Sequence, residues 1–543
     1  MHGRRGFSPL LGSGMAFQRN SRAALAGCAL LLLLATGCTS LRDYVGNGFK
    51  VGPNYCKPPA PVAQNWIDAE DKRLRNESED HSRWWTVFHD PALDSLICCA
   101  YHQNLTLRQA GYRVLQARAL LGITTGQFFP QNQNVTGSYS RNAISQQTST
   151  SLPGFLPAFS NNWNFGFNLN WELDFWGRFR RAIEADTANL DASIEDYDDV
   201  LVTLLGDVAD GYAQMRTLEG RIEYARTNVR LQQETLTIAD ARFRGGTTSE
   251  LDVFQARSTL ERTQAQIPAL EISLRQTVVR LCILLGMPPE EIRLRLGPGD
   301  IPKAPPEVAV GIPADLLRRR PDVRRAERLA AAQSARIGIA ESDFYPAISI
   351  NGTLGYSAQN FQDLFRSSAL NGNFGPSFQW NVLNYGRILN NVRLQDARFQ
   401  ELVAAYQQSA LNAAQEVENG IVTFLRAQER TRYLTTSVND AEQSVKIVLA
   451  QYRAGAIDLT RVTQIEQDLV SVQDVWTQAR GEIAQGLIQV YRALGGGWQI
   501  RLTNCNESLP PPAANLAPNP PTTQPIEHLP VPIPQPAAPT PAA

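Results

Sequence analysis

The sequence is written twice, and whatever it folds into must carry one plan in two copies. Phe129-Pro130 aligns with Tyr345-Pro346, and Trp171 with Gly177-Arg178 aligns with Trp380 with Gly386-Arg387. Phe243-Arg244-Gly245-Gly246 aligns with Tyr452-Arg453-Ala454-Gly455, and Leu285-Gly286 with Leu494-Gly495. The last three matches share an offset of 209 residues and the first has 216, so the first copy carries seven extra residues between Pro130 and Trp171. Self-similarity of this kind marks a repeated supersecondary unit.

Each copy contains two alternating segments around a polar loop. Trp163, Phe165, Phe167, Leu169 and Trp171 alternate with asparagine and glycine, and Phe374, Pro376, Phe378, Trp380 and Val382 do the same in the second copy. Period-two alternation predicts strands with one apolar face. Partner strands are expected at Val135–Tyr139 and at Ile348–Tyr356, which places the four strands near 134–142, 163–172, 347–357 and 374–383. A length of about 9–11 residues suits a tilted strand crossing a bilayer. Aromatic ends on apolar faces fit the interfacial girdles of membrane barrels. Four strands cannot close a barrel, and an open edge is not tolerated in lipid, so strands of this kind require further copies of the chain. In a soluble sandwich the same faces would form a core.

After the strands come long stretches of helix formers. Residues 178–243 and 387–453 contain no proline, and each is followed by a shorter stretch, 249–285 and 458–494. At about 1.5 Å per residue the longer ones reach about 100 Å, a length that predicts coiled-coil packing. Gly245, Gly246 and Gly455 can end the first helix of each pair in left-handed turns. Ser249 and Asp458 sit where N-caps belong, and Asp252 follows Ser249 at capping-box spacing. Two antiparallel helical hairpins result.

The composition removes other functions. Of the 543 residues, 51 are Lys or Arg and 52 are Asp or Glu, a net charge of -1. That is no electrostatic footprint for nucleic acid. The five histidines lie at 2, 81, 89, 102 and 528, so no imidazole serves as base or metal ligand between 103 and 527. Neither a phosphate-cradling glycine loop nor a G-x-S-x-G or H-E-x-x-H motif occurs. No catalytic residue, metal site or cofactor is expected, and the chain is not read as an enzyme.

The N-terminus reads as an address. Basic residues precede an apolar run from Ala23 to Ala35, too short to span a bilayer and suited to a signal peptide. Met15 is an alternative start. The run ends in Leu34-Ala35-Thr36-Gly37-Cys38, which resembles a lipoprotein cleavage box. Cys28 has a closer local match but lacks an apolar run before it, so Cys38 is taken as the lipid anchor; an incidental cysteine after an ordinary signal is the alternative. Thr39 in place of Asp points to the outer membrane. Export implies an oxidising compartment. Of the cysteines at 56, 98, 99, 282 and 505, most are expected to pack, with Cys56–Cys505 as the one pairing considered.

Several stretches together resemble the TolC-type outer-membrane efflux proteins, in their NodT- or OprM-like lipoprotein branch. They are Val51-Gly52-Pro53-Asn54-Tyr55 with Pro58 to Pro61; Trp84-Trp85 with Phe88 and Asp90-Pro91-Ala92-Leu93; Leu316 to Arg324; and Phe344-Tyr345-Pro346. The resemblance spans roughly residues 38–500. It implies a homotrimer in which four strands per chain build a twelve-stranded membrane β-barrel. Twelve helical segments then form a long α-helical coiled-coil barrel in the periplasm. It implies a passive duct through the outer-membrane lipid, closed at its periplasmic end. The duct would dock with a periplasmic adaptor (membrane fusion) protein and an inner-membrane transporter of the RND type.

The same resemblance places a gate at the hairpin tips. Asp252 and Tyr452 match family latch positions, whereas Ile457, Arg461 and Gln464 depart from the pattern at the second tip. Pairing of Arg461 with Asp252 of the same or a neighbouring chain is the expected latch, with simple capping by Asp252 as the alternative. Gly245, Gly246 and Gly455 mark the expected adaptor-docking turns.

The expected organisation is a signal peptide over 1–37, a lipid-anchored segment over 38–100, repeats over 101–296 and 314–500 joined by a linker at 297–313, and a tail over 501–543. Residues 510–543 hold 13 of the 33 prolines. They read as a polyproline-prone linker, with contact to peptidoglycan or a partner as the alternative. The competing reading of the whole chain is a lipid-anchored coiled-coil spacer or adhesin without channel activity.

Overall fold

The computed structural model describes residues 41–143 apart from 76, 78 and 79, then 159–503 and 505. The leader, Cys38 and the proline-rich stretch lie outside the described residues. In chain order the first elements are α1 (Leu41–Gly46), β1 (Leu74–Arg75), α2 (Pro91–Gln103), α3 (Leu105–Gly126), β2 (Asn132–Ala143) and β3 (Phe159–Leu173). Next come α4 (Arg178–Arg244), α5 (Glu250–Leu284), α6 (Arg293–Leu296), β4 (Val308–Ala309), α7 (Leu316–Arg319) and α8 (Pro321–Ser342). The last are β5 (Ala347–Ala358), β6 (Leu370–Gln379), α9 (Arg387–Arg453), α10 (Leu459–Ala493) and α11 (Ile500–Thr503). Among the described residues no helix is long and apolar enough to cross a membrane.

The chain divides into two compact units. The described part of one comprises residues 41–58, 116–143, 159–191 and 327–404. Its centre is an antiparallel sheet in the order β2-β3-β5-β6. Residues directly opposite share a face. Val135 pairs with Phe167, Phe167 with Leu354, Tyr139 with Trp163, and Gly352 with Phe374, so one face is aromatic and aliphatic. The other face pairs Asn134 with Asn168, Asn168 with Thr353, Asn170 with Asn351, and Ser349 with Ser377. Side-chain amides link strands there: Asn168 Nδ2 donates to Asn134 Oδ1 at 3.0 Å, and Asn351 Nδ2 to Ser377 Oγ at 2.6 Å.

Two strands differ from the expected limits. β3 begins at Phe159 rather than 163, because the polar residues Ser160 to Asn162 continue the ladder against Ser140 to Asn142. β6 runs over Leu370–Gln379 rather than 374–383. The alternation persists through Trp380 and Val382, but the backbone there already turns: the Val382 N–H donates to the Trp380 carbonyl, and Tyr385 and Gly386 have φ of 50° and 81°. Trp380 anchors this turn by donating from Nε1 to the Phe344 carbonyl at 2.9 Å.

The motif around Val51-Gly52 is a close backbone crossing within this unit. Gly52 has φ of +84°, and a Cβ on it would lie 2.3 Å from Cα of Gly338. Arg181 holds the crossing by donating from Nε to the Val51 carbonyl at 3.0 Å and from Nη2 to the Gly52 carbonyl at 2.9 Å.

The described part of the other unit comprises residues 59–115 apart from 76, 78 and 79, then 192–326, 405–503 and 505. Its main core gathers Trp84, Trp85, Leu96, Leu205, Tyr212, Leu281, Phe424 and Ile488. Asp90 caps α2, accepting from the Ala92 N–H at 2.9 Å, and its other oxygen accepts from the Tyr212 hydroxyl at 2.7 Å. Within the Leu316–Arg324 motif, buried Arg320 forks onto Asp322 at 2.9 and 2.8 Å and also donates to Glu416 and to the Ala493 carbonyl. β4, inside the stretch expected as a linker, pairs in parallel with β1.

The cysteine pairing differs from the one considered. Cys98 bonds to Cys505 across 407 residues of sequence, and Cys56 is a free exposed thiol. Three further contacts seat the segment around α11. His102 Nε2 lies 2.7 Å from the Cys505 carbonyl. Arg501 Nε lies 2.6 Å from buried Asp198. The Trp498 ring lies under both Arg324 and Arg501, at 4.9 and 5.4 Å.

Gly52→Ala forces a side chain into the crossing at Gly338 and strains a left-handed backbone. The expected loss is about 2–4 kcal/mol, read as a lowered thermal midpoint of the purified protein. A loss under about 0.5 kcal/mol would mean that the backbone gives way there.

Candidate functional site: the hairpin tips

Both tips are built by one backbone device. At the first, the Gly246 N–H donates to the Phe243 carbonyl at 2.9 Å and the Thr247 N–H to the Arg242 carbonyl at 3.0 Å. At the second, Gly455 donates to Tyr452 and Ala456 to Gln451, both at 2.9 Å. This is the Schellman pattern, which needs a residue at positive φ. Gly246 at +71° and Gly455 at +77° supply it, while Gly245 stays at ordinary φ.

The following helices start differently. Asp458 caps α10 by accepting from the Arg461 N–H at 3.0 Å. Ser249 occupies the cap position of α5, but its side chain makes no capping bond. The expected capping box is therefore absent. Asp252 is instead engaged by the Thr248 hydroxyl, and its own N–H donates to the Ser249 carbonyl at 3.1 Å.

The tips share a small apolar core of Ala239, Ala256, Val445, Leu449, Tyr452, Leu459 and Val462, with Ile457 packed on it. Tyr452 is fully buried. Arg242 covers it, with its guanidinium carbon 4.6 Å from the ring centroid and Nη1 donating to the Tyr452 carbonyl at 2.9 Å. Burial pushes the Tyr452 phenol up; Arg242 opposes this and the charge of Asp252 adds to it. Asp252, Tyr452 and Arg242 thus form one electrostatic group. Arg461 and Gln464 lie on the exposed side of α10, and no ion pair joins Arg461 to Asp252 within the chain among the described residues. Arg453 instead pairs with Glu234.

Arg242 was not among the expected tip residues. Its counterpart one repeat later is Gln451, and that asymmetry between copies was the available signal. Leu251 and Phe254, one turn apart on α5, are also exposed beside the first tip.

Above the tips, α4 and α10 meet along a stripe of small and polar residues. Asn228 Nδ2 donates to Gln473 Oε1 at 2.8 Å, and Arg221 forks onto Asp474 at 2.7 and 3.0 Å. Thr235 Oγ1 donates to Glu466 Oε1 at 2.5 Å.

Two paired-strand segments with two long hairpins define an architecture that comparison with known proteins can decide. The sequence profile of the family described as outer membrane efflux protein matches residues 96–287 and 312–496. The chain belongs to this family. It is similar to the pyoverdine export outer membrane protein OpmQ of Pseudomonas putida, 31% identical over 433 residues, which covers 77% of this chain and 88% of that one. It is also similar to nodulation protein T of Rhizobium leguminosarum bv. trifolii, 28% identical with 83% and 95% covered. Among solved structures, the outer-membrane channel OprN superposes with a TM-score of 0.76 at 32% identity, covering 83% of this chain and 99% of that one. The family is one of channels rather than enzymes, and this efflux protein is a channel of the outer membrane.

Arg242→Ala uncovers the buried Tyr452 ring and leaves its carbonyl without that donor. The expected cost is about 1–2 kcal/mol, confined to the tips. Hydrogen exchange should quicken around 448–460 and stay unchanged in the sheet.

Proposed function

We propose that three copies of this efflux protein form a passive duct with one continuous barrel, closed at the tips until a partner opens it. The open four-stranded sheet carries this reading. β2 and β6 each pair on one side only, and the apolar face of the sheet suits lipid. Three copies supply twelve strands. The exposed polar face lines the exit with amides and hydroxyls. Cys38 is the proposed acyl anchor. A periplasmic adaptor docks around Gly245, Gly246 and Gly455, and an inner-membrane transporter of the RND type supplies the energy.

The latch is proposed to lie between chains. Arg461 is exposed and its guanidinium pairs with no carboxylate among the described residues, and Asp252 stands half-buried beside Thr248. An exposed pair contributes only about 0.2–1 kcal/mol, which suits a closure that must release.

Native mass spectrometry should give a trimer, and planar bilayers should give small flickering conductance. A monomer without conductance would leave the lipid-anchored spacer as the better reading. Asp252→Ala and Arg461→Ala should each raise the open probability. Unchanged conductance in both would remove the latch while leaving the duct intact.

A further inference from the structure

The contact between α4 and α10 is unusual for a long helical pair. Helices normally grip through large apolar side chains. Here the stripe on α4 runs Thr217, Gly220, Asn228, Gln232 and Thr235, and α10 answers with Gly481, Thr477, Gln473 and Glu466. A Cβ on Gly481 would meet Thr217 Oγ1 at 2.2 Å, and one on Gly220 would lie 3.2 Å from Thr477 Cγ2. Each glycine therefore makes room for a threonine of the facing helix. Gln473 continues the seam by donating to Glu442 on α9 at 3.0 Å. Gln232 is 1% exposed, and neither of its amide atoms has a hydrogen-bond partner among the described residues. Buried polar groups left unsatisfied weaken the packing that holds them.

The stripe holds two carboxyls on α10: Asp474 is forked by Arg221, whereas Glu466, 1% exposed, has no cation beside it among the described residues. Glu466 accepts a hydrogen bond from the Thr235 hydroxyl. A lone buried carboxylate without a counter-ion is costly, so such a group takes up a proton or leaves. Charged groups on the neighbouring helices are directed elsewhere. Glu442 is taken by Gln473, Glu234 by Arg453, and Arg242 by Tyr452. Glu261 and Arg262 on α5, Lys446 on α9 and Asp468 on α10 are exposed.

We propose that Glu466 is a proton-controlled fastener of the α4–α10 seam: protonated, it lets the seam close against Thr235, and ionised, it drives α10 away from α4 and opens the periplasmic end. The proposal rests on the gated-duct reading above and adds the proton as its regulator. Burial pushes the Glu466 carboxyl up to about 7, with the Thr235 hydroxyl pulling the other way. The ordinary value is 4.5. In the opened state water restores that value. Closure is therefore fully supported below about pH 4.5, weakens as the pH rises toward about 7, and changes no further above it. No histidine lies between 103 and 527, and Glu195, which burial also pushes up to about 7, sits against Arg324 nearer the start of α4.

The test is single-channel recording of the full-length trimer at about pH 5 and about pH 8. Open probability should rise about tenfold or more between them. Glu466→Gln, which keeps the shape and cannot ionise, should hold the low-pH value at both. Thr235→Val removes the bond that favours the ionised form and should move the rise to higher pH. Thermal melting supplies a second readout: Glu466→Gln should exceed the wild type at about pH 8 and match it at about pH 5. A wild type that conducts with no pH dependence, or a Glu466→Gln variant that keeps the wild-type profile, would overturn the fastener and leave the duct standing. A wild type that conducts at neither pH would remove the duct itself, and the fastener with it.

Discussion

A strand edge carries a row of N–H and carbonyl groups that hydrocarbon cannot satisfy, and most of what this chain does follows from having two such edges. β2 and β6 close nothing by themselves. Lipid on the apolar face demands that the missing partners come from other copies. The polar face answers the opposite demand. Its asparagines bridge strands within the sheet and keep further amide groups free for water.

The helical part divides its packing between holding and yielding. Around Trp84, Trp85 and Phe424 the core is large and apolar, and Arg320 sits in four hydrogen bonds. Nearer the tips the apolar core shrinks to a small cluster about Tyr452, and the seam between α4 and α10 turns to glycine, threonine and amides. Stability is not uniform along such a structure, and the parts that move are drawn from its weaker end.

The strands were legible because alternation is a local signal, and the tip glycines because positive φ restricts the choice of residue. The misplaced end of β6 shows the limit of that signal. Trp380 and Val382 keep the period after the backbone has begun to turn, and the turn shows only in backbone geometry and in the bond from Trp380 to Phe344. The box at Ser249 failed because Thr248, one residue earlier, takes Asp252. Nothing in the sequence marks Glu466, since its partner Thr235 lies on another helix 231 positions away. The Cys98–Cys505 bond was out of reach for the same reason.

That bond gives the molecule a topology of its own. It closes a covalent ring that contains both copies of the repeat, from α2 to the residues just after α11. A protease that cuts any loop inside the ring, such as the one between α6 and α7, leaves a single covalent molecule rather than two fragments. A pull on the chain end beyond Cys505 is borne at α2 by a sulfur–sulfur bond, and the long helices between carry none of it.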